Sequence, residues 1–191
     1  SNKTMIAQHH LIFSEQGFTA QLEFKNIYGV AIADDIGSFG QAFNYDKAGN
    51  ILSTYNLSRE GDVLITKDGI KEIRETYDVH HNYVNRVYLN EYGFSTYNAK
   101  GYAKSTAKYD VKGNRTEVAY FGADGEPVFG KGGYARIISS YDQLGNKIEI
   151  AVFGTDGKPV IGNQGYHRMI LSYDDRGNIV KKTCFGTDGK P

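Results

Sequence analysis

The chain has no tryptophan, one cysteine, two methionines and three prolines in 191 residues, and its charges cancel. A lone cysteine, Cys184, excludes an internal disulfide. In its repeat column stand Tyr88, Tyr120 and Val152, so it reads as a small buried hydrophobe. No base stands at a spacing that would make it a nucleophile. With 22 basic residues against 22 acidic ones, there is no electrostatic footprint for nucleic acid or an anionic membrane surface. No apolar run reaches the roughly 18 residues of a membrane-spanning helix. The motifs GxGxxG before a helix, HExxH and GxSxG are also missing.

What the chain does have is glycine and aromatic side chains: 23 Gly, 15 Tyr and 10 Phe, a composition suited to a turn-rich β protein. The pair Tyr-Asp returns every 32 residues, at Tyr45-Asp46, Tyr77-Asp78, Tyr109-Asp110, Tyr141-Asp142 and Tyr173-Asp174. Four residues after each Asp stands Asn50, Asn82, Asn114, Asn146 or Asn178. Gly29, Gly61, Gly93, Gly125, Gly157 and Gly189 keep the same period, and so do Gly37, Gly69, Gly101, Gly133 and Gly165. Three columns in one register define a tandem array.

One unit runs from Gly133 to Gln164. Tyr134 to Tyr141 alternates, with Ile137, Ser139 and Tyr141 on one side and Arg136, Ile138 and Ser140 on the other, which predicts a strand. In YDQLGN, Asp142 is placed to accept backbone N–H groups and Gly145 to adopt the left-handed conformation, which predicts a reversal. A second strand, Lys147 to Phe153, follows, and GTDG at 154–157 predicts another hairpin turn. A short Pro-Val-Ile segment and a four-residue loop lead on. Each unit is therefore expected to hold two good strands, two turns and a third, short strand. Residues 1–191 read as one repeat domain of about six units: the first three degenerate, the last three regular and the final one cut short. Ser1-Asn2 reads as an expression scar, and Pro191 falls in mid-motif, so the expectation is a piece of a longer array.

The YDxxGN core (YDKAGN, YDVKGN, YDQLGN, YDDRGN) resembles the bacterial YD repeat of RHS-type proteins over about ten residues per unit, though the period here is longer. FGADGEPV and FGTDGKPV look like the hairpin repeats of bacterial cell-wall-binding modules, which normally rely on the tryptophan missing here. Together these resemblances imply a bacterial, envelope-associated or secreted β-hairpin repeat protein, with neighbouring domains or further repeats in the full-length molecule.

Candidate chemistry is sparse. The Asp column invites a calcium reading, but turn capping alone explains Asp, Gly and Asn. His9 and His10 face opposite ways in a strand, and His80-His81 occupy a degenerate turn in which His81 replaces the glycine. No metal, cofactor or catalytic residue is assigned, and the chain is read as a non-enzyme. The third unit is the exception. Tyr83 stands where other units have Arg115 and Lys147, Tyr92 where they have Asp124 and Asp156, and Phe94 where they have Glu126 and Lys158. Columns that hold charges elsewhere face solvent, so Tyr83, Tyr92 and Phe94 are expected to be exposed and to bind a ligand by stacking or anchoring. The expected fold is all-β: tandem hairpins in an open solenoid or spiral sheet, with a propeller-like ring as the alternative. The expected function is a scaffold or adhesion module for a glycan or protein, with a structural spacer as the runner-up and a carbohydrate-active enzyme as a third reading. Neither nucleic-acid binding nor membrane insertion is expected.

Overall fold

In the computed structural model, which describes residues 6–191, the chain forms one antiparallel sheet of thirteen strands. The reading of Ser1-Asn2 lies outside the described residues. The strands are β1 (Gln8–Phe13), β2 (Thr19–Lys25), β3 (Gly40–Tyr45), β4 (Ile51–Leu57), β5 (Val63–Leu64), β6 (Glu72–Tyr77), β7 (Tyr83–Leu89), β8 (Lys104–Tyr109), β9 (Arg115–Phe121), β10 (Arg136–Tyr141), β11 (Lys147–Phe153), β12 (Arg168–Tyr173) and β13 (Ile179–Phe185). Their spatial order follows their sequence order, except that β5 branches off to pair only with β4. β1 and β13 form opposite edges, so the sheet is open and no ring closes.

Each hairpin is held by a full ladder, and each junction between hairpins by a short one. β10 and β11 share six residue pairs, from Arg136↔Phe153 to Tyr141↔Lys147, whereas β10 meets β9 in only three. The ladder between hairpins covers the start of β10 and stops before Tyr141. There the tyrosine hydroxyl takes over: Tyr141 donates to the Arg115 carbonyl at 2.9 Å, as Tyr109 does to Tyr83 at 3.0 Å, Tyr173 to Lys147 at 2.8 Å and Tyr45 to Thr19 at 2.9 Å. At four of the five YD pairs the Tyr thus staples its hairpin to the one before it.

The unit contains three turns, not two. Asp142–Asn146, Gly154–Lys158 and Gly162–Tyr166 each close with the same two backbone bonds, and Gly145, Gly157 and Gly165 all have φ near +80°. The four-residue loop expected from sequence is this third turn. It was hidden because Gly162 carries no capping side chain to mark it. Before it, a third short segment pairs through single bridges, Phe121↔Pro127 and Phe153↔Pro159, which in the second unit lengthen into β5. The third turns stack on one another: Lys131 N–H donates to the Lys100 carbonyl at 2.8 Å, and Asn163 N–H to the Gly132 carbonyl at 2.9 Å.

The core is accordingly thin. Its densest part is Ile70, Tyr88 and Tyr102, flanked by Ile73, Tyr120 and Val128, where crossover residues lie over the sheet. The rings of Tyr102 and Tyr120 stack at 4.5 Å between centroids, and burial raises the pKa of both phenols. Cys184 is half-buried on the last strand, in the Tyr88 and Tyr120 column.

Candidate functional site

The Asp of every YD pair is consumed by its own turn. Asp142 Oδ1 accepts from the N–H groups of Leu144 and Asn146, and Oδ2 accepts from the Asn146 side-chain amide, each at 2.9 Å. The side-chain amide of Asn146, ahead of the other groups, holds Asp142 below the usual aspartate range. The same three bonds recur at Asp46, Asp110 and Asp174. In the degenerate copy, Asp78 keeps its bonds and His81 adopts φ of 64°, the sole non-glycine residue with positive φ among the described residues. Its Nδ1 lies 2.9 Å from Asn50 Oδ1 of the neighbouring turn. His9 and His10 point to opposite faces, toward Phe24 and Glu23 respectively. Among the described residues, no three His, Cys, Asp or Glu side chains gather where they could hold a metal ion.

The second turns explain why unit three carries aromatics. In the regular units the turn begins with glycine and is capped from its third position: Asp124 Oδ1 takes Glu126 N–H, and Asp156 Oδ1 takes Lys158 N–H. That carboxylate folds back over the first position. A Cβ added to Gly122 would lie 2.6 Å from Asp124 Oδ1, and one added to Gly186 would lie 3.0 Å from Asp188 Oδ1. In unit three the first position is Asn90, whose Oδ1 itself accepts from Tyr92 and Phe94 N–H at 3.0 Å. Capping has moved to position 90, so position 92 is free to be any residue. Tyr92 uses that freedom, and with Phe94, whose position does not cap in the regular units, it stands exposed, at 74% and 71%.

Tyr83 does not join them. It begins β7, at the first-turn edge, and Tyr92 lies beyond the other end of that strand, so the full seven-residue strand, roughly 20 Å, separates them. It is half-buried rather than exposed. The guanidinium of Arg86 lies 5.0 Å from its ring centroid, Arg115 Nη1 donates to its hydroxyl at 3.1 Å, and its carbonyl receives the Tyr109 staple. The column logic misplaced it because the Tyr83 ring is held by Arg86 and Arg115, whereas a Lys or Arg in that column can extend its charged end to solvent.

Beneath Tyr83 lies a polar cluster that the sequence did not announce. Glu75 is buried on the same face, where the equivalent residues are Ala107 and Ser139, and it receives Arg86 Nε at 2.7 Å and the Tyr77 hydroxyl at 3.0 Å. Burial, and after it the Glu75 charge, push the Tyr77 phenol up to about 12. Tyr77 has therefore left the stapling role of its column.

A second exposed apolar turn was also missed. Ile27, Tyr28 and Val30 are 66%, 82% and 51% exposed, on a turn capped by Asn26 just as Asn90 caps its own. The signal was available, since Asn26 and Asn90 are the two second turns that open with Asn. Four strand steps separate β2 from β7, so the two aromatic turns lie roughly 20 Å apart along one sheet edge, with the charged Arg59, Glu60 and Asp62 turn between them.

No family model and no curated protein matches the chain. Among solved structures, the chain is similar to one in the "Crystal Structure of TcdB2-TccC3-TEV", at 15% identity and a TM-score of 0.42. The match covers 96% of this chain and 9% of that one.

Proposed function

We propose that this chain is a non-catalytic repeat module that binds a glycan or a protein partner through its second-turn edge, with Tyr92 and Phe94 as the contact residues. The observation that carries this reading is their exposure on a turn whose geometry Asn90 fixes. Nothing in the fold requires rings there, and rings exposed to water carry a cost that a ligand removes. Tyr28 is a second platform of the same build. Tyr83 contributes to the packing beneath and not to this edge. The balanced charge favours neither nucleic acid nor a membrane surface as partner. The YDxxGN resemblance favours a bacterial protein that is secreted or held at the envelope, beside further repeats or domains. The Tyr staples and turn stacks, which propagate one register along the array, favour a structural spacer as the second reading.

The two readings separate on glycan and peptide arrays. Binding that Tyr92→Ala and Phe94→Ala abolish, with melting temperatures unchanged, supports the module. Absence of binding on every array, or an equal loss of stability in the variants, supports the spacer.

A further inference from the structure

Three kinds of bond join successive units, and around the junction of β4 and β6 one is shortened and the other two are missing. β4 and β6 share only the pairs Ser53↔Arg74 and Thr54↔Ile73, where β9 and β10 share three. The Tyr77 staple is diverted to Glu75. The turn-to-turn bond that joins Lys131 to Lys100, and Asn163 to Gly132, has no counterpart between Ala99 and Asp68 or between Lys67 and Ile36 among the described residues. The third turns at 34–38, 66–70 and 98–102 therefore stand apart, where the later ones touch.

The gap is a cleft of about 280 Å³. Its walls are apolar, built from Ile36, Ile70, Ile73 and Tyr88. Its polar lining carries a net positive charge. The exposed Lys67 and Lys100 bring two cations against the one carboxylate of Asp68. The N–H groups of Lys67 and Ala99 have lost the carbonyl that the repeat supplies elsewhere. Asn98 lines the same cleft, where its Oδ1 accepts the Lys100 N–H at 2.7 Å. An apolar pocket with a net positive charge at its rim selects an apolar body with an anionic, acceptor-only head. The volume, at the lower limit of pockets for drug-sized molecules, selects a small one.

We propose that the cleft between the second and third units binds a small amphipathic anion: an apolar body the size of a fused bicyclic ring bearing a carboxylate. This site is distinct from the aromatic turns. Its occupant replaces the missing turn-to-turn contacts and so closes the weakest junction of the array.

The probe is naphthalene-2-carboxylate, with its neutral carboxamide for comparison, titrated by calorimetry and by amide NMR. Saturable one-site binding is expected, with the Ala99 amide resonance shifting. The carboxamide should bind about tenfold more weakly, and the double change Lys67→Ala with Lys100→Ala should weaken carboxylate binding by about tenfold or more. Ile36→Trp, at a position already 41% exposed, should fill the cleft and abolish saturation without unfolding the chain. Tyr92→Ala with Phe94→Ala should leave binding unchanged. The proposal is overturned by the absence of saturation up to about 5 mM carboxylate, an affinity too weak for a built site. It is equally overturned by undiminished binding to Ile36→Trp, or by loss of binding in the Tyr92 and Phe94 variant, which would move the ligand to the turn edge.

Discussion

The Tyr141 hydroxyl donates to the backbone carbonyl of Arg115 at 2.9 Å, across the gap where the ladder between β9 and β10 has run out. The carbonyl at the start of β9 would otherwise be left to solvent. Tyr141→Phe keeps the ring and deletes only this bond. It should lower the unfolding free energy by about 1 kcal/mol, the usual net value of one hydrogen bond. Urea denaturation of the variant checks this, and a midpoint equal to that of the parent would show that water serves the carbonyl as well.

The first-turn glycines carry a conformational demand that can be graded. Gly145 has φ of 86°, with its nearest neighbour beyond close contact, so the obstacle to a side chain there is the backbone and not crowding. Gly145→Ala should cost about 1 kcal/mol or more, and Gly145→Asn roughly half of that, because Asn tolerates the left-handed region. Thermal melts of the two variants test the order; an Ala variant as stable as the Asn one would contradict it.

Acid should unfold the array through its turns. Asp46, Asp110, Asp142 and Asp174 are each held below the ordinary aspartate range, first by the side-chain amide of the Asn four residues on. A depressed folded-state pKa contributes stability above the unfolded value of about 3.9 and loses it as pH falls through the folded value. The melting temperature should therefore hold from about pH 8 to pH 5 as far as these groups are concerned and fall below about pH 4. Replacing all four Asp by Asn keeps a capping oxygen, as Asn26 and Asn90 do, and removes the titration. The acid limb should flatten in that variant, and an unchanged limb would assign acid unfolding to other groups.

The Glu75–Arg86 pair offers a test of how unit three departs from the repeat. Glu75→Ala strands Arg86 and releases Tyr77, and it should destabilise by about 2 kcal/mol, below the range for a fully buried pair because Arg86 is partly exposed. Adding Arg86→Val, the residue at the matching position Val118, should restore most of the loss. A double variant less stable than the single one would mean that the pair stabilises unit three beyond satisfying its own charges.

Much of this was legible because a repeat prints its local chemistry many times. The Tyr, Asp, Gly and Asn columns each correspond to a fixed set of hydrogen bonds or a dihedral angle, so their period alone placed the first and second turns and the long strands. The third turn was not legible in the regular units, since Gly130 and Gly162 open it without a side chain and the segment before it pairs through single bridges, although Asp34, Thr66 and Asn98 cap it in the earlier units. Of the three candidate contact residues, Tyr92 and Phe94 lie on one exposed turn. Tyr83 does not, because a column that tolerates charge reports only where a long side chain ends.

By itself the sequence determined everything set by contacts a few residues apart: the all-β class, the 32-residue period, the left-handed glycines and the capping aspartates. Only the tertiary structure decided what depends on the spacing between units. It left the sheet open, sent the Tyr hydroxyls to the preceding hairpin, and parted the turns beside Ile70 while stacking those beside Gly132. The physical reason is range. A turn is satisfied by bonds within five residues, whereas the junction between hairpins rests on a short ladder, one hydroxyl and one turn contact, and no sequence period records whether all of them are made.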